Sequence, residues 1–212
     1  MSPRGERWSD PFAGLPGRRL FVAVPLPDAS AAAVRAVVDE VRAVPLPDGA
    51  RDVRWVRLDG LHFTLRFLGP TPDARIAPTA AAVRAVAASA VEPFDLELGG
   101  AGTFPPHGRP RALWIGIIEG ADQLGRLATE LEAALVAAGW PSEPRPFRPH
   151  LTLARSDGVA AGTLVAGRLA SAMADRRIPV RIDRLGLFES VTGGGPARYV
   201  PVTSEPMGAI SG

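Results

Sequence analysis

The tetrapeptide His62-Phe63-Thr64-Leu65 returns 88 residues later as His150-Leu151-Thr152-Leu153, and this recurrence constrains the chain more than any other feature. The sequence holds three histidines, so two of the three fall in one pattern. Side chains alternate faces along a strand. His62 and Thr64 are therefore expected on one face, with Leu61, Phe63, Leu65 and Phe67 on the other. His150 and Thr152 likewise share a face, opposite Leu151 and Leu153. A twofold recurrence at this interval is too sparse for a solenoid and suits two related lobes. If the lobes set their polar faces opposite each other, one cleft holds two imidazoles and two hydroxyls. Arg66 and Arg148 have the parity of their histidines and are expected to line that cleft. Arg155 has the opposite nominal parity, at a strand end.

The rest of the chain supplies the elements for such lobes. Residues 1–17, polar and rich in Pro and Gly, read as a flexible extension. Strands are expected over 20–25, 53–57, 61–68, 94–100, 112–118, 150–154, 180–189 and 198–203. Helices are expected over about 30–44, 72–91, 121–138 and 162–174, the third ending at Gly139. The strands 53–57 and 61–68 are separated by Asp59-Gly60, which reads as a tight turn. Residues 204–212 read as a loose tail, leaving 18–203 as a single bilobal domain. Single helices alternating with strand pairs argue for an α+β fold with largely antiparallel sheets.

Two histidines supply an acid and a base near neutral pH, because imidazole titrates there. Hydrolysis of a phosphodiester needs those two roles: one group deprotonates water and the other protonates the leaving oxygen. Threonine hydroxyls and arginine guanidinium groups donate to the non-bridging oxygens as charge builds on phosphorus. No cofactor and no metal are expected, since zinc needs three or four ligands and His-x-Thr offers one per strand. His107 lies in a Pro/Gly loop and reads as an exposed loop histidine. Trp114 reads as core rather than a base-stacking platform, and Phe104 and Pro105 beside that loop are minor candidates for base contact.

Composition narrows the setting. The chain lacks cysteine, which excludes disulfides and thiolate metal sites. It has no 18-residue apolar run and no signal-peptide layout at its N-terminus, so a cytoplasmic protein without membrane attachment is expected. The net charge of +2 forecasts no strong unspecific grip on nucleic acid, and the all-arginine basic set fits codon usage better than RNA binding.

The segments RLFVAVPLP, LHFTLRFLG, GTFPPHGRPRALWIGI and RPHLTLAR occur in an order that resembles the two-histidine phosphoesterases. The nearest resemblance is to the bacterial and archaeal RNA 2′,3′-cyclic phosphodiesterases, also called 2′-5′ RNA ligases, and it covers residues 18–203. The resemblance implies a two-lobed fold with duplicated antiparallel sheets about a pseudo-twofold axis, helices outside and a central cleft. It implies His62 as proton donor, His150 as acceptor, and Thr64 and Thr152 as phosphate contacts. It places Arg148 and Arg155 where phosphate is often held. The implied partner is RNA with a 2′,3′-cyclic phosphate end, acted on by a monomer and converted to a 2′-phosphomonoester. Ligation by the reverse chemistry, hydrolysis of a small cyclic nucleotide, and non-catalytic binding of RNA ends stay open beside it.

Overall fold

Leucine and valine at spacings of three and four turn two segments into helices with one buried stripe. The computed structural model describes residues 16–47, 53–89, 91–156, 160–191 and 197–208. Helix α1 (Asp28–Ala43) buries Val34, Val37, Val38 and Val41, and α3 (Ala121–Ala137) buries Leu124, Leu127, Leu131 and Leu135. Each such leucine contributes about 1.5–3 kcal/mol by leaving water. Helices α2 (Asp73–Ser89) and α4 (Ala160–Ala172) complete the set among the described residues.

The strands are β1 (Arg18–Pro25), β2 (Val53–Trp55), β3 (His62–Thr71), β4 (Phe94–Phe104), β5 (Ala112–Glu119), β6 (Leu151–Ser156), β7 (Ile178–Ile182), β8 (Arg184–Val191) and β9 (Arg198–Pro206). They form a four-stranded sheet, β3-β1-β8-β9, and a five-stranded sheet, β2-β6-β5-β4-β7. All pairs are antiparallel. Helices α2 and α3 pack together on the first sheet, and α1 and α4 on the second. The α+β fold with duplicated antiparallel sheets is as the sequence implied.

The two halves exchange strands. β4 follows the helix after the first motif yet lies in the second sheet, and β8 follows α4 yet lies in the first. One continuous apolar cluster, from Leu20 through Leu98 and Leu153 to Leu187, therefore runs through both halves. The end of α3 is pinned in turn. Gly139 takes φ of +85°, and the Trp140 amide reaches back to the Leu135 carbonyl at 2.9 Å, a Schellman closure. The Trp140 indole donates to the Thr79 hydroxyl at 2.9 Å, tying α3 to α2 just before the chain turns toward His150.

Four expectations are corrected. Asp59-Gly60 does not close a hairpin, because a two-residue turn of that kind needs positive φ, which neither residue has. A 3₁₀ turn over Leu58–Gly60 instead sends the flanking strands to different sheets. The Val56 amide then donates to the Leu153 carbonyl and the Leu26 amide to that of Leu61, each at 2.9 Å. The expected strand 180–189 breaks at Asp183 into β7 and β8, again in separate sheets. The tail expected from Ser204 begins later: β9 runs to Pro206, and Met207 is buried, its amide donating to the Asp183 carbonyl at 2.7 Å. Of the expected extension, residues 1–15 lie outside the described residues, as do 209–212 of the tail. Gly17, though exposed, already runs close against β3, since a Cβ there would sit 2.4 Å from the Thr71 carbonyl oxygen.

Candidate active site

Each motif strand carries a one-residue bulge at the same place in its tetrapeptide. Val22 pairs with Arg66 and Ala23 with Thr64, so Leu65 is skipped. Leu113 pairs with Ala154 and Trp114 with Thr152, so Leu153 is skipped. A bulge inserts one unpaired residue and reverses the alternation beyond it. Simple parity therefore holds for His62 and Thr64, and for His150 and Thr152, all of which line one cleft of about 690 Å³. Beyond the bulges it fails.

Two further corrections concern arginines. Arg66, expected in the cleft, is turned away from it and is 6% exposed. Its Nη1 lies 3.3 Å from a carboxylate oxygen of both Glu132 and Glu143, and its Nη2 donates to the Pro141 carbonyl at 2.6 Å. This guanidinium holds β3 to α3 and to the segment leading toward His150. Arg148 precedes β6, and its side chain is exposed and lies outside the cleft lining. Arg155, by contrast, is returned to the cleft by the bulge at Leu153. Phe67 is likewise brought from the expected core face to the cleft.

The imidazoles are held in matching ways. His62 Nδ1 meets the Gly60 carbonyl at 2.7 Å, and His150 Nδ1 meets the Arg148 carbonyl at 2.7 Å. A carbonyl only accepts, so Nδ1 carries the proton in both rings and Nε2 is left for chemistry. Burial pushes both histidines below the ordinary imidazole range, partly offset by these carbonyls. The nearby Arg155 cation lowers His150 further. His62 sits instead among rings, with Phe21 and Tyr199 centroids each 4.8 Å away. His150 lies edge-to-face with Phe104 at 4.9 Å, and Trp114 is 6.3 Å away. Trp114 is half-buried beside this ring, neither pure core nor an open platform, while His107 is exposed in its loop.

Among the described residues, no three His, Cys, Asp or Glu side chains gather closely enough to hold a metal ion. The profile of the 2'-5' RNA ligase superfamily matches residues 26–194. The chain belongs to that superfamily. Its curated relatives include proteins named RNA 2',3'-cyclic phosphodiesterase from Geobacillus stearothermophilus and Aeropyrum pernix. The first is 38% identical over 64% of this chain and 41% of the relative. The second is 38% identical over 50% of this chain and 58% of the relative. The matched part thus spans about half the length of these relatives. Among solved structures of the superfamily's fold, TT0787 of Thermus thermophilus superposes with a TM-score of 0.69 at 27% identity, covering 91% of this chain and 99% of that one. E. coli LigT complexed with 3'-AMP gives 0.65 at 26% identity, covering 90% and 98%.

Two features of this superfamily site escape sequence reasoning. Tyr199 reaches the cleft from β9, remote in sequence from both motifs, and its being the chain's single tyrosine is the only signal it leaves. Arg54 on β2 is the register partner of Arg155 and lines the same wall. No spacing rule links a residue before the first motif to one after the second.

Proposed function

We propose that this superfamily member hydrolyses RNA 2′,3′-cyclic phosphate ends to 2′-phosphomonoesters, with His62 as proton donor and His150 as acceptor. The carrying observation is the matched anchoring of the two imidazoles, each with Nδ1 on a carbonyl two residues back and both lining one cleft. The surroundings favour the division of roles. Arg155 disfavours the protonated form of His150, which suits a base, whereas His62 is lowered by burial with the Gly60 carbonyl opposing it.

In this reading His150 Nε2 takes a proton from water as its oxygen attacks phosphorus. The bond from phosphorus to the 3′ oxygen breaks, and His62 gives its proton to that oxygen. The Thr64 and Thr152 hydroxyls and the Arg155 guanidinium donate to the non-bridging oxygens, whose charge grows on the way to the transition state. The proton relay closes without a metal. The names of the curated relatives support the same reaction class. We place the enzyme, as a monomer, in the cytoplasm, which its cysteine-free composition fits. Among the described residues no helix is long and apolar enough to cross a membrane.

The test is to incubate the protein with an oligoribonucleotide ending in a 2′,3′-cyclic phosphate and to separate the isomeric products. A 2′-phosphate end, formed also after exhaustive chelation, is expected. A 3′-phosphate product, or an unchanged cyclic end, contradicts the reading.

A further inference from the structure

The two cleft imidazoles are supported differently. His62 opens β3 and pairs in register with Pro25 of β1, so the first sheet itself fixes its backbone. His150 stands one residue before β6, whose ladder to β5 begins at Leu151. It is the last residue of a strap, 141–150 (PSEPRPFRPH), that is neither helix nor strand. Four of these ten residues are prolines, which carry no amide proton. A segment so poor in backbone donors depends on side chains to hold it in place.

The side chain that holds its upstream end comes from the opposite motif. Arg66, four residues after His62 on β3, donates through Nη2 to the Pro141 carbonyl at 2.6 Å. Its Nη1 lies 3.3 Å from carboxylate oxygens of Glu143 in the strap and Glu132 on α3. The Glu132 carboxylate in turn accepts the Glu143 amide at 2.7 Å, and Glu143 accepts from the Arg145 guanidinium at 2.8 Å. Downstream, Phe147 packs against the core, and the Arg148 carbonyl receives the Nδ1 proton of His150 at 2.7 Å. Proline fixes its own φ and restricts the residue before it, so a shift at Pro141 is passed along the strap rather than absorbed. The Gly60 carbonyl, which serves His62, sits instead in the 3₁₀ turn directly before β3.

We infer that Arg66 is a positioning residue for His150: a guanidinium rooted in the first-motif strand fixes the strap whose Arg148 carbonyl orients the second-motif imidazole. This role is separate from its contribution to stability, and its effect on turnover rests on the proposed hydrolysis. Loss of the guanidinium frees Pro141 and Glu143 together, the strap shifts, and the Arg148 carbonyl leaves Nδ1. The neutral ring then moves its proton to Nε2, which can no longer accept one from water. His62 keeps its own carbonyl and its own tautomer.

Imidazole nitrogen NMR spectra, taken without substrate at a pH where both rings are neutral, are compared in wild type, Arg66→Leu and Glu143→Gln. The wild type is expected to show the Nδ1–H tautomer for His62 and His150 alike. In Arg66→Leu, His150 alone should move toward the Nε2–H tautomer. Glu143→Gln, which loosens the strap but keeps Arg66, should move it the same way by less. On adenosine 2′,3′-cyclic phosphate, kcat of Arg66→Leu should fall by about 10–100-fold with KM held, the scale for slight misplacement of a reacting group. An unchanged His150 tautomer overturns the inference, and so do equal changes in both rings, which general loosening of the fold would give. If Arg66→Leu does not fold, Glu143→Gln is read by the same criterion. The spectra need no turnover, so an inactive wild type contradicts the hydrolase reading alone.

Discussion

The ring of Tyr199 meets that of His62 edge-to-face, with centroids 4.8 Å apart and planes at 85°. The same tyrosine packs on the Gly60 backbone, where an added Cβ would stand 3.0 Å from its Cδ2. Gly60 is also the residue whose carbonyl accepts the His62 Nδ1 proton. Tyr199 therefore braces both the imidazole and the carbonyl that orients it. Burial raises the phenol above its ordinary pKa, so its hydroxyl stays protonated at working pH.

If the ring rather than the hydroxyl is what matters, Tyr199→Phe should retain kcat within a few-fold. Tyr199→Ala should lower kcat by about 10–100-fold, the scale for slight misplacement of a reacting group. Steady-state kinetics on a cyclic-phosphate nucleotide checks both. A loss in the phenylalanine variant as large as that in the alanine variant would point to the hydroxyl.

The pH dependence of kcat/KM should be a bell displaced to the acid side of the ordinary imidazole range. The donor must be protonated, so activity falls as pH rises through the lowered pKa of His62. The acceptor must be neutral, so activity falls as pH drops through the lowered pKa of His150. Both limbs move the same way because burial lowers both groups. Bound phosphate favours the protonated forms, so the kcat profile should lie at higher pH than that of kcat/KM. The limbs belong to the pair until single mutants separate them.

Arg155→Ala should raise KM and move the acid limb of kcat/KM toward higher pH, because the cation that lowers His150 is removed. Arg148→Ala should do neither, since only its backbone carbonyl serves the site. Full pH–rate profiles of the two variants separate these outcomes.

Arg66→Ala should act on stability. Removing the guanidinium leaves Glu132 and Glu143 without their shared partner and frees the Pro141 carbonyl. Because both carboxylates keep some solvent, the loss should be about 2–3 kcal/mol, below the value for a fully buried pair. Denaturant unfolding measures it. An unchanged midpoint would mean the arginine is not the tie between β3 and α3.

What the sequence made legible follows a physical boundary. The period of a strand is local, so His62 with Thr64, and His150 with Thr152, were placed on common faces by spacing alone. The helices α1 and α3 were legible from local signals as well, such as Gly139 closing the third. A bulge depends on the partner strand, so the reversal at Leu65 and Leu153 left no mark in the pattern. Arg66 and Phe67 were misplaced together on the first strand, and Arg155 reaches the cleft against its nominal parity. The exchange of β4 and β8 between sheets is equally non-local. With it went any view of Tyr199, which reaches His62 only because β9 joins the first sheet.

Coupling between His62 and His150 tests the central claim most directly, through kcat/KM of His62→Ala, His150→Ala and the double variant on one cyclic-phosphate oligonucleotide. Each single loss should be about 10²–10⁴-fold, the usual yield of a positioned proton transfer. The double variant should be little worse than the poorer single one, because groups serving one step fail together. Losses that multiply in the double variant would contradict a concerted acid–base pair.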